Sequence, residues 1–241
     1  MAIKVSVVGA TGRMGKLAID IINGAPDLQL HSTLDSNSEL SECIGADLIF
    51  EATRLDVSKT VVAFALQHKI NILVATSGWQ KSDLEVLAAK ATESAVVVIP
   101  NFSIGSVLGS RFAAEAAKYF QSIEIIETHH AGKKDSPSGT AIRTAEMISS
   151  SREEVGQVTP LIQGLGQEAR GEVIAGVPIH SLRLDGVSAK QEVILGGNQE
   201  TLTISHQVSA ITAYSMGILH SLRFAASQKG LVIGLEKVLG I

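Results

Sequence analysis

Residues 5–15 read VSVVGATGRMG, an apolar run that leads into three glycines, Gly9, Gly12 and Gly15, and then into a helical pattern. Such glycines permit a tight strand-to-helix turn and let backbone N–H groups approach a diphosphate at the helix N-terminus. The GxxGxxG spacing is looser than GxGxxG, and a turn without a ligand is the alternative interpretation. Because the loop follows the first predicted strand, we expect it to bind a dinucleotide. The expected contact residues are Gly9, Ala10, Thr11, Gly12, Arg13 and Met14.

Around this loop, short Val- and Ile-rich runs alternate with longer segments of helical periodicity up to about residue 128. The predicted strands are Ile3 to Val8, Gln29 to Leu34, Asp47 to Ala52, Ile70 to Thr76, Ala95 to Ile99 and Ile123 to Thr128. The predicted helices are Arg13 to Asn23, Asp56 to His68, Ser82 to Ala91 and Gly105 to Tyr119. This order predicts an α/β fold with a Rossmann-type, doubly wound parallel sheet.

The second half of the chain has a different pattern. After about residue 165, apolar and polar residues alternate, as in residues 179–184 and again in residues 201–206. Turn sequences occur at Asp185-Gly186 and at Gly196-Gly197-Asn198. Together they predict a second, α+β domain with a mixed or antiparallel sheet. The polar segment from Ser150 to Gly166 lacks periodicity, and we predict a loop there.

An apolar helical pattern returns from Tyr214 to Ser227, and we expect this helix to pack back on the first domain. We therefore predict that residues 1–102 and 213–241 form the dinucleotide-binding domain. Residues 103–212 then form the second domain.

Composition favours a small molecule or another protein as the partner. The 241 residues are 45% hydrophobic, and 20 basic and 24 acidic residues are mixed along the chain, which argues against nucleic acid as a partner. Apolar runs stay far below the roughly 20 residues of a spanning helix, so we expect no membrane partner. Because the single cysteine, Cys43, cannot form an internal disulfide and residues 1–5 lack signal-peptide features, we expect a cytoplasmic protein.

Asp35 ends the second predicted strand, about 20 residues after the glycine loop. A carboxylate at this position accepts hydrogen bonds from the adenosine ribose hydroxyls, which favours NADH. Without the glycine loop, an ordinary loop aspartate is the alternative. Ser36 and Asn37 offer no cation for a 2′-phosphate, but Arg13 is a candidate, so NADPH remains open.

Three further segments follow predicted strands at the edge where open α/β sheets bind ligands. They are Ala52-Thr53-Arg54, Ala75-Thr76-Ser77-Gly78 and Pro100-Asn101-Phe102-Ser103. Each is a candidate for the nicotinamide side of a dinucleotide site. Taken singly, each is equally well explained as a polar loop at a strand end.

Residues 128–141 read THHAGKKDSPSGTA and concentrate titratable groups at one strand end. His129, His130 and two lysines make this site cationic, and the Ser-Gly-Thr turn presents N–H and O–H donors at a helix N-terminus. Such a pocket suits a dianionic acid. A helix cap by Ser138, solvated lysines and a metal-binding histidine pair are the alternatives. We predict no metal site, because adjacent histidines on an extended chain point to opposite sides.

Over nearly its whole length the chain resembles the 4-hydroxy-tetrahydrodipicolinate reductase (dihydrodipicolinate reductase) family. The matching stretches are GATGRMG at 9–15, PNFSIG at 100–105, ETHH at 127–130 with Lys133, and DSPSGTA at 135–141. The resemblance implies NADH- or NADPH-dependent reduction of 4-hydroxy-tetrahydrodipicolinate in the diaminopimelate and lysine pathway. It also implies a homotetramer built through the sheet of the second domain, which would bind a small dicarboxylate substrate.

The resemblance also implies individual roles. His129 would donate or accept a proton, Lys133 would donate one, and the substrate carboxylates would bind the turn and its neighbour, namely His130, Ser138, Gly139 and Thr140. Besides the glycine loop, the implied dinucleotide contacts are Asp35, Thr53, Ala75, Thr76, Ser77, Ile99, Pro100, Asn101 and Phe102.

The sequence departs from the family pattern at four places. The usual GTTG reads Ala75-Thr76-Ser77-Gly78, and the usual aspartate-phenylalanine-threonine reads Glu51-Ala52-Thr53. An expected arginine is Ile211, and an expected histidine is Gln191. These changes affect the expected substrate affinity more than the expected reaction.

Three other classes of protein share part of this pattern. A short-chain dehydrogenase needs lysine four residues after tyrosine, but Tyr119 and Tyr214 are followed at that spacing by isoleucines. A semialdehyde dehydrogenase needs a cysteine nucleophile in its catalytic region, whereas Cys43 lies between early sheet elements. A non-catalytic sensor of the nicotinamide cofactor has no need for proton donors beside a carboxylate pocket.

Overall fold

The computed structural model describes residues 2–157 and 167–241. The chain folds into two compact units, Met1–Ile104 with Ile211–Ile241, and Gly105–Ala210. The roles assigned to the two domains stay a prediction. None of the helices in the described residues is long and apolar enough to cross a membrane.

The chain contains eleven strands and seven α-helices in its described parts. The strands are β1 Ile3–Val8, β2 Leu28–Leu34, β3 Leu48–Glu51, β4 Asn71–Val74, β5 Ala95–Val98, β6 Ser122–His129, β7 Glu172–Ile174, β8 Val177–Arg183, β9 Ala189–Gly196, β10 Thr201–Val208 and β11 Gly230–Ile233. The helices are α1 Arg13–Gly24, α2 Leu55–Gln67, α3 Lys81–Lys90, α4 Ile104–Ala116, α5 Gly139–Glu154, α6 Ser215–Ala226 and α7 Leu235–Leu239.

The first unit contains a six-stranded parallel sheet in the order β11-β5-β4-β3-β1-β2. From β1 the chain passes to β2 at one edge and then to β3 on the other side of β1. The carboxyl ends of β1 and β3 therefore flank the topological switch point, where open α/β sheets bind ligands. The predicted Rossmann-type sheet is confirmed.

Apolar strands hold this sheet between its helices. Side chains of β1, β3, β4 and β5 are almost all fully buried, as expected for a parallel sheet that is covered on both faces. Helices α2 and α3 cover one face with Val61, Val62 and Leu87. Helices α1 and α6 contact each other. Arg223 of α6 forms a bidentate ion pair with Asp27, in which Nε donates to Oδ2 at 2.8 Å and Nη2 donates to Oδ1 at 2.9 Å.

The second unit contains a five-stranded mixed sheet in the order β10-β9-β6-β8-β7. Strands β6 and β8 run parallel, and the other neighbours run antiparallel. The predicted strand at Ile123 to Thr128 is thus the central strand of this sheet. One face packs on α4 and α5, where small residues such as Ala113 and Ala145 allow close approach to Ile125 and Ile179.

Two predictions for the second unit need correction. The predicted loop from Ser150 begins inside α5, which continues to Glu154, and residues 158–166 of that prediction lie outside the described residues. The turn at Asp185-Gly186 does not close a hairpin, because β6 lies between the strands β8 and β9 that it joins. By contrast, β9 and β10 are direct neighbours, and Gly197 N donates to Glu200 O at 2.9 Å in their turn.

The other face of the five-stranded sheet has no helix from α4 or α5 on it. Leu182 on this face is 45% exposed, and Leu184 just beyond β8 is 50% exposed. A charged network lies beside them, in which Glu124 accepts from Arg170 and pairs with His180, each at 2.5 Å. Burial opposes ionisation of Glu124, but these two partners outweigh it and lower the pKa of Glu124.

Candidate active site

His129 is the last residue of β6, and its ring is anchored by a carboxylate on the same strand. Glu127 lies two residues earlier and therefore on the same face of the sheet. Its Oε2 is 2.5 Å from His129 Nδ1, and its side chain is 0% exposed. Because an ionised carboxylate only accepts hydrogen bonds, Nδ1 must be the protonated nitrogen. In the neutral ring, Nε2 is then left to exchange protons.

Arg183 holds Glu127 in place from the neighbouring strand. The parallel register of β6 and β8 sets Arg183 beside His129 and Ser181 beside Glu127. The guanidinium donates to Glu127 Oε1 from Nη2 at 3.0 Å and to Oε2 from Nη1 at 3.2 Å. Burial opposes ionisation, but hydrogen bonds from Arg183, Ser181 and His129 outweigh it and lower the pKa of Glu127.

The same arginine also fixes the loop that carries Lys133. Its Nε donates to Lys133 O at 3.3 Å, and its Nη2 donates to Asp135 O at 2.7 Å. Within this loop, Lys133 Nζ donates to Asp135 Oδ2 at 2.6 Å, and that hydrogen bond lowers the pKa of Asp135. One guanidinium therefore positions both the histidine, through Glu127, and the lysine loop.

Acid should weaken the second unit through Glu127. Its pKa is 4.5 in the unfolded reference and lower in the folded chain. Below about pH 4.5 the unfolded state therefore binds more protons, and the stability that is full above this value decreases as pH falls toward the folded pKa. We expect the urea midpoint to fall as the pH decreases from about 5 to about 3, with a flatter pH dependence in Glu127→Gln.

The matched control for this prediction is Glu146→Gln, which changes an exposed glutamate on α5. Its urea midpoint should change with pH as steeply as that of the wild-type protein. A Glu127→Gln protein whose midpoint falls as steeply as that of the wild type would show that Glu127 does not carry the effect.

Helix α5 begins where the substrate turn was predicted. Ser138 is its N-cap, and its Oγ accepts a hydrogen bond from Ala141 N at 3.2 Å. The cap interpretation of Ser138 thus holds, and its role toward a substrate stays a prediction. Gly139 and Thr140 form the start of the helix, whose first turn carries no acidic residue. This helix end favours an anion because its partial positive charge is not offset.

A buried polar chain connects this turn to the neighbouring strand. Thr144 Oγ1 donates to Thr140 O at 2.8 Å, and it accepts from Gln191 Nε2 at 3.0 Å. Gln191 stands where the family pattern led us to expect histidine. Its Oε1 is buried and has no hydrogen-bond partner among the described residues. At this position an amide, rather than the expected imidazole, therefore donates to Thr144 of α5.

The histidines do not assemble a metal site in the part of the chain that the structure describes. No cluster of three or more His, Cys, Asp or Glu side chains there has a metal-binding arrangement. His129 is paired with Glu127, and His130 is exposed at the end of β6.

In the first unit, the backbone of the glycine loop packs so closely that two of its glycines leave no room for a side chain. Gly9 has φ +88°, and a Cβ atom there would lie 2.4 Å from Ala52 O. At Gly15, a Cβ would lie 2.2 Å from Gly9 O. Gly12 is the N-cap of α1, without a side-chain cap and without an acidic residue in the first turn. Uncapped backbone N–H groups at a helix N-terminus fit the diphosphate of a dinucleotide.

Replacing Gly9 by alanine should disrupt this loop. The positive φ and the contact with Ala52 O together should destabilise the protein by about 1–3 kcal/mol and weaken dinucleotide binding. Urea unfolding and calorimetric titration measure the two effects. Gly24→Ala is the control, because a Cβ there meets nothing within 4 Å. Equal stability and affinity in both variants would contradict the role of Gly9.

Asp35 follows β2 at the same edge of the sheet. Its Oδ1 accepts from Asn37 N at 2.8 Å and from Ser38 Oγ at 3.3 Å, and the residue is exposed. This local turn fixes an exposed carboxylate beyond the strand end. Such a position fits recognition of ribose hydroxyls.

The remaining predicted dinucleotide contacts follow β3, β4 and β5. Thr53 is half-buried, and both Thr53 and Thr76 donate hydroxyl hydrogens to the buried Glu51. After β5, the side chains of Ile99 and Phe102 are buried, so only their backbone remains available to a ligand. Asn101 Oδ1 accepts from Ser103 N at 2.9 Å. The other members, Ala75, Ser77 and Pro100, lie in these same strand-end loops.

The predicted residues thus form one group in each unit. The dinucleotide set, from Gly9 to Phe102, lies at the carboxyl edge of the parallel sheet, and the set from His129 to Thr140 lies between the end of β6 and the start of α5. The prediction missed Glu127 and Arg183 as site residues. Glu127 was detectable as a carboxylate two positions before His129 on a strand, whereas Arg183 depended on the pairing of β6 with β8.

Comparison with known proteins gives a consistent result over both units. The family model for the N-terminus of dihydrodipicolinate reductase matches residues 3–102, and the model for its C-terminus matches residues 105–239. The 4-hydroxy-tetrahydrodipicolinate reductase of Clavibacter sepedonicus is 47% identical over 242 residues, which cover 99% of this chain and 87% of that protein. That of Cutibacterium acnes is 39% identical and covers 99% of each chain.

A solved structure agrees with these relatives. The dipicolinate-bound dihydrodipicolinate reductase from Paenisporosarcina sp. TG-14 is 31% identical and superposes with a TM-score of 0.82, covering 98% of this chain and 99% of its own. Because both family models match adjacent segments and the relatives match almost all of this chain, the chain belongs to the dihydrodipicolinate reductase family.

Proposed function

We propose that this chain is a cytoplasmic enzyme that reduces 4-hydroxy-tetrahydrodipicolinate to tetrahydrodipicolinate with NADH or NADPH, in the biosynthesis of diaminopimelate and lysine. The observation that carries the proposal is the network of Glu127, His129 and Arg183, which also holds the Lys133 loop beside the N-terminus of α5. Membership of the family supplies the reaction, and this network supplies the groups that the reaction needs.

The substrate is a dicarboxylate, and the start of α5 is the proposed binding site for a carboxylate. Backbone N–H groups at Gly139 and Thr140, together with the Thr140 hydroxyl and His130, would donate to its oxygens. The absence of an acidic residue in the first turn of α5 supports this role. Ser138 contributes by fixing the turn through its cap on Ala141 N.

Lys133 is the proposed acid of the reaction. Once the 4-hydroxyl group has left as water, the substrate is a conjugated imine, to which the reduced nicotinamide, when bound to the first unit, would supply a hydride. The electron pair of the hydride forms the new C–H bond, the displaced π electrons move to the ring nitrogen, and a proton from the Lys133 ammonium neutralises the developing charge there. Asp135, at 2.6 Å, holds the ammonium in place.

His129 is the second proposed proton donor or acceptor. Its Nδ1 hydrogen is committed to Glu127, so a proton enters or leaves the ring through Nε2. Glu127 and Arg183 are positioning residues, because they act through His129 and the loop of Lys133.

Replacing Thr140 by valine should raise KM about two- to tenfold and leave kcat nearly unchanged, because one hydrogen bond to the bound carboxylate is lost in both substrate and transition state. Steady-state kinetics with saturating cofactor measure this change. Ser150→Ala, at an exposed position of α5, is the control and should leave both constants unchanged. An unchanged KM in Thr140→Val would argue against a carboxylate site at this turn.

The choice of cofactor follows from the first unit. Asp35 favours NADH through the ribose hydroxyls, while the exposed Arg13 at the start of α1 is available to a 2′-phosphate. We therefore propose use of NADH, NADPH or both.

We also propose a homotetramer built through the face of the five-stranded sheet opposite α4 and α5. The exposed Leu182 and Leu184, with the half-buried Ile126 and Ile194, give this face apolar area of the kind that oligomer interfaces bury. Light scattering of the purified protein tests this assembly, and a monomer would contradict it.

The reaction itself is tested by cofactor oxidation. The unstable substrate is generated from pyruvate and aspartate semialdehyde by a separate synthase, and NADH and NADPH are compared in parallel. The proposal predicts oxidation that depends on the synthase product. Binding of both cofactors without oxidation of either would instead favour a sensor or a different cyclic imine.

A further inference from the structure

Glu51 is a buried carboxylate for which the proposed reaction has no use. It is the last residue of β3, it is 0% exposed, and its neighbours are hydroxyl and N–H groups. Its Oε1 accepts from Thr53 N at 2.6 Å, from Thr53 Oγ1 at 2.5 Å and from Thr76 Oγ1 at 2.9 Å. Its Oε2 accepts from Ser58 Oγ. Four donors therefore converge on one carboxylate.

This arrangement fixes the direction in which the hydrogen of the Thr53 hydroxyl points. A hydroxyl has one hydrogen, and a carboxylate can only accept, so the hydrogen of Thr53 Oγ1 points at Glu51. Arg54 O is also within reach at 3.3 Å, but Glu51 Oε1 at 2.5 Å is much closer. Two lone pairs of Thr53 Oγ1 remain. Thr76 is less available, because it is buried and its Oγ1 already accepts from Thr53 N at 3.1 Å.

Thr53 is also next to the proposed dinucleotide loop. A Cβ on Gly9 would lie 2.4 Å from Ala52 O and 3.1 Å from Thr53 Cγ2, so the glycine loop packs directly on this strand end. Both segments flank the switch point between β1 and β3. A half-buried hydroxyl here offers a ligand an acceptor and no hydrogen.

We propose that Glu51 is a positioning residue that turns the Thr53 hydroxyl into an acceptor for an N–H donor on the nicotinamide side of the dinucleotide. The carboxamide N–H₂ of nicotinamide is the group of this chemical class. The inference rests on the proposed function, since it assumes that the glycine loop binds a dinucleotide. It adds that Glu51 selects the carboxamide: a Thr53 hydroxyl that can only accept favours a ligand group with an N–H to donate.

Calorimetric binding tests this inference without turnover. Three ligands are compared: NAD⁺, its 3-acetylpyridine analogue, which replaces the carboxamide N–H₂ by methyl, and ADP-ribose, which lacks the nicotinamide. One hydrogen bond corresponds to a preference of about two- to tenfold for NAD⁺ over the analogue in the wild-type protein. In Glu51→Met, no acceptor remains for the Thr53 hydroxyl, so its hydrogen is free to turn toward the ligand and this preference should shrink, while ADP-ribose affinity stays within about twofold.

Glu51→Asp keeps an acceptor-only group and should retain the preference. Thr53→Val removes the acceptor itself and should abolish the preference even where Glu51→Met fails to fold. Glu85→Met, an exposed change on α3, is the control and should match the wild type. A preference that stays at the wild-type value in both Glu51→Met and Thr53→Val overturns the inference, as does an equal loss of affinity for all three ligands. Failure of the wild-type protein to bind any of them contradicts the proposed function itself.

Discussion

Replacing Lys133 by methionine is expected to lower kcat by about 10²- to 10⁴-fold, the range for loss of a general acid, with a much smaller change in KM. The ammonium acts on charge that develops at the ring nitrogen only in the transition state. Methionine keeps the length of the side chain and removes its proton, so packing of the loop changes little. Steady-state kinetics with both cofactors measure the effect.

Lys134→Met provides the matched control, because Lys134 is adjacent in sequence and exposed. It should leave kcat within about twofold of the wild type, since solvated charges contribute little. If Lys133→Met also retained its kcat, the proton would have to come from His129 or from water, and the assignment of Lys133 would be wrong.

Replacing Arg183 by methionine should destabilise the protein by about 3–5 kcal/mol at neutral pH, the cost of leaving one buried charge unpaired. Glu127 is fully buried, and Arg183 is the cation that donates to both of its oxygens. The loop of Lys133 also loses two hydrogen bonds from the same guanidinium. Activity at temperatures where the variant stays folded should therefore fall as well.

Urea unfolding of single and double variants checks this prediction. Adding Glu127→Gln to Arg183→Met should recover part of the lost stability, because the double variant no longer buries an unpaired charge. Arg111→Met, an exposed change on α4, should stay within about 0.5 kcal/mol of the wild type. Additive losses in the double variant would contradict the coupling between Glu127 and Arg183.

The sequence predicts the central strands of the first unit because their signals are local. Strand β1 occupies Ile3–Val8, the predicted residues, since an apolar run that ends at a glycine turn has clear boundaries. Strand β11 was not predicted, because its apolar run is only three residues long, at positions 231–233. Its four residues are only half-buried, and the strand forms the edge of the sheet by pairing with β5.

The end of α5 shows a second limit. The polar residues after Ser149 read as a loop, yet Arg152 is buried in the helix and donates to Ala117 O at 3.0 Å and Phe120 O at 2.6 Å. These carbonyls lie at and beyond the end of α4, so the arginine is satisfied only by tertiary structure. Such long-range partners leave no trace in local periodicity.

In the candidate site, too, residues on one local motif could be predicted, whereas residues brought in by tertiary structure could not. Residues 129–140 could be identified because they lie on one contiguous motif that resembles the family. Arg183 is 54 positions from His129 in sequence, and only the register of β6 and β8 brings them together. Glu51 was noted as a departure from the family pattern, but its hydroxyl partners follow from the packing of three segments.

Direct hydride transfer from the nicotinamide to the cyclic imine is the central claim of this account. The most direct test uses NADH or NADPH carrying deuterium at both C4 positions, with substrate supplied by the separate synthase, and mass spectrometry of the product. We predict one deuterium in each molecule of tetrahydrodipicolinate formed by the wild-type protein, and slow formation of the same labelled product by Lys133→Met. Product without deuterium, or cofactor oxidation that does not depend on the synthase, would contradict the claim.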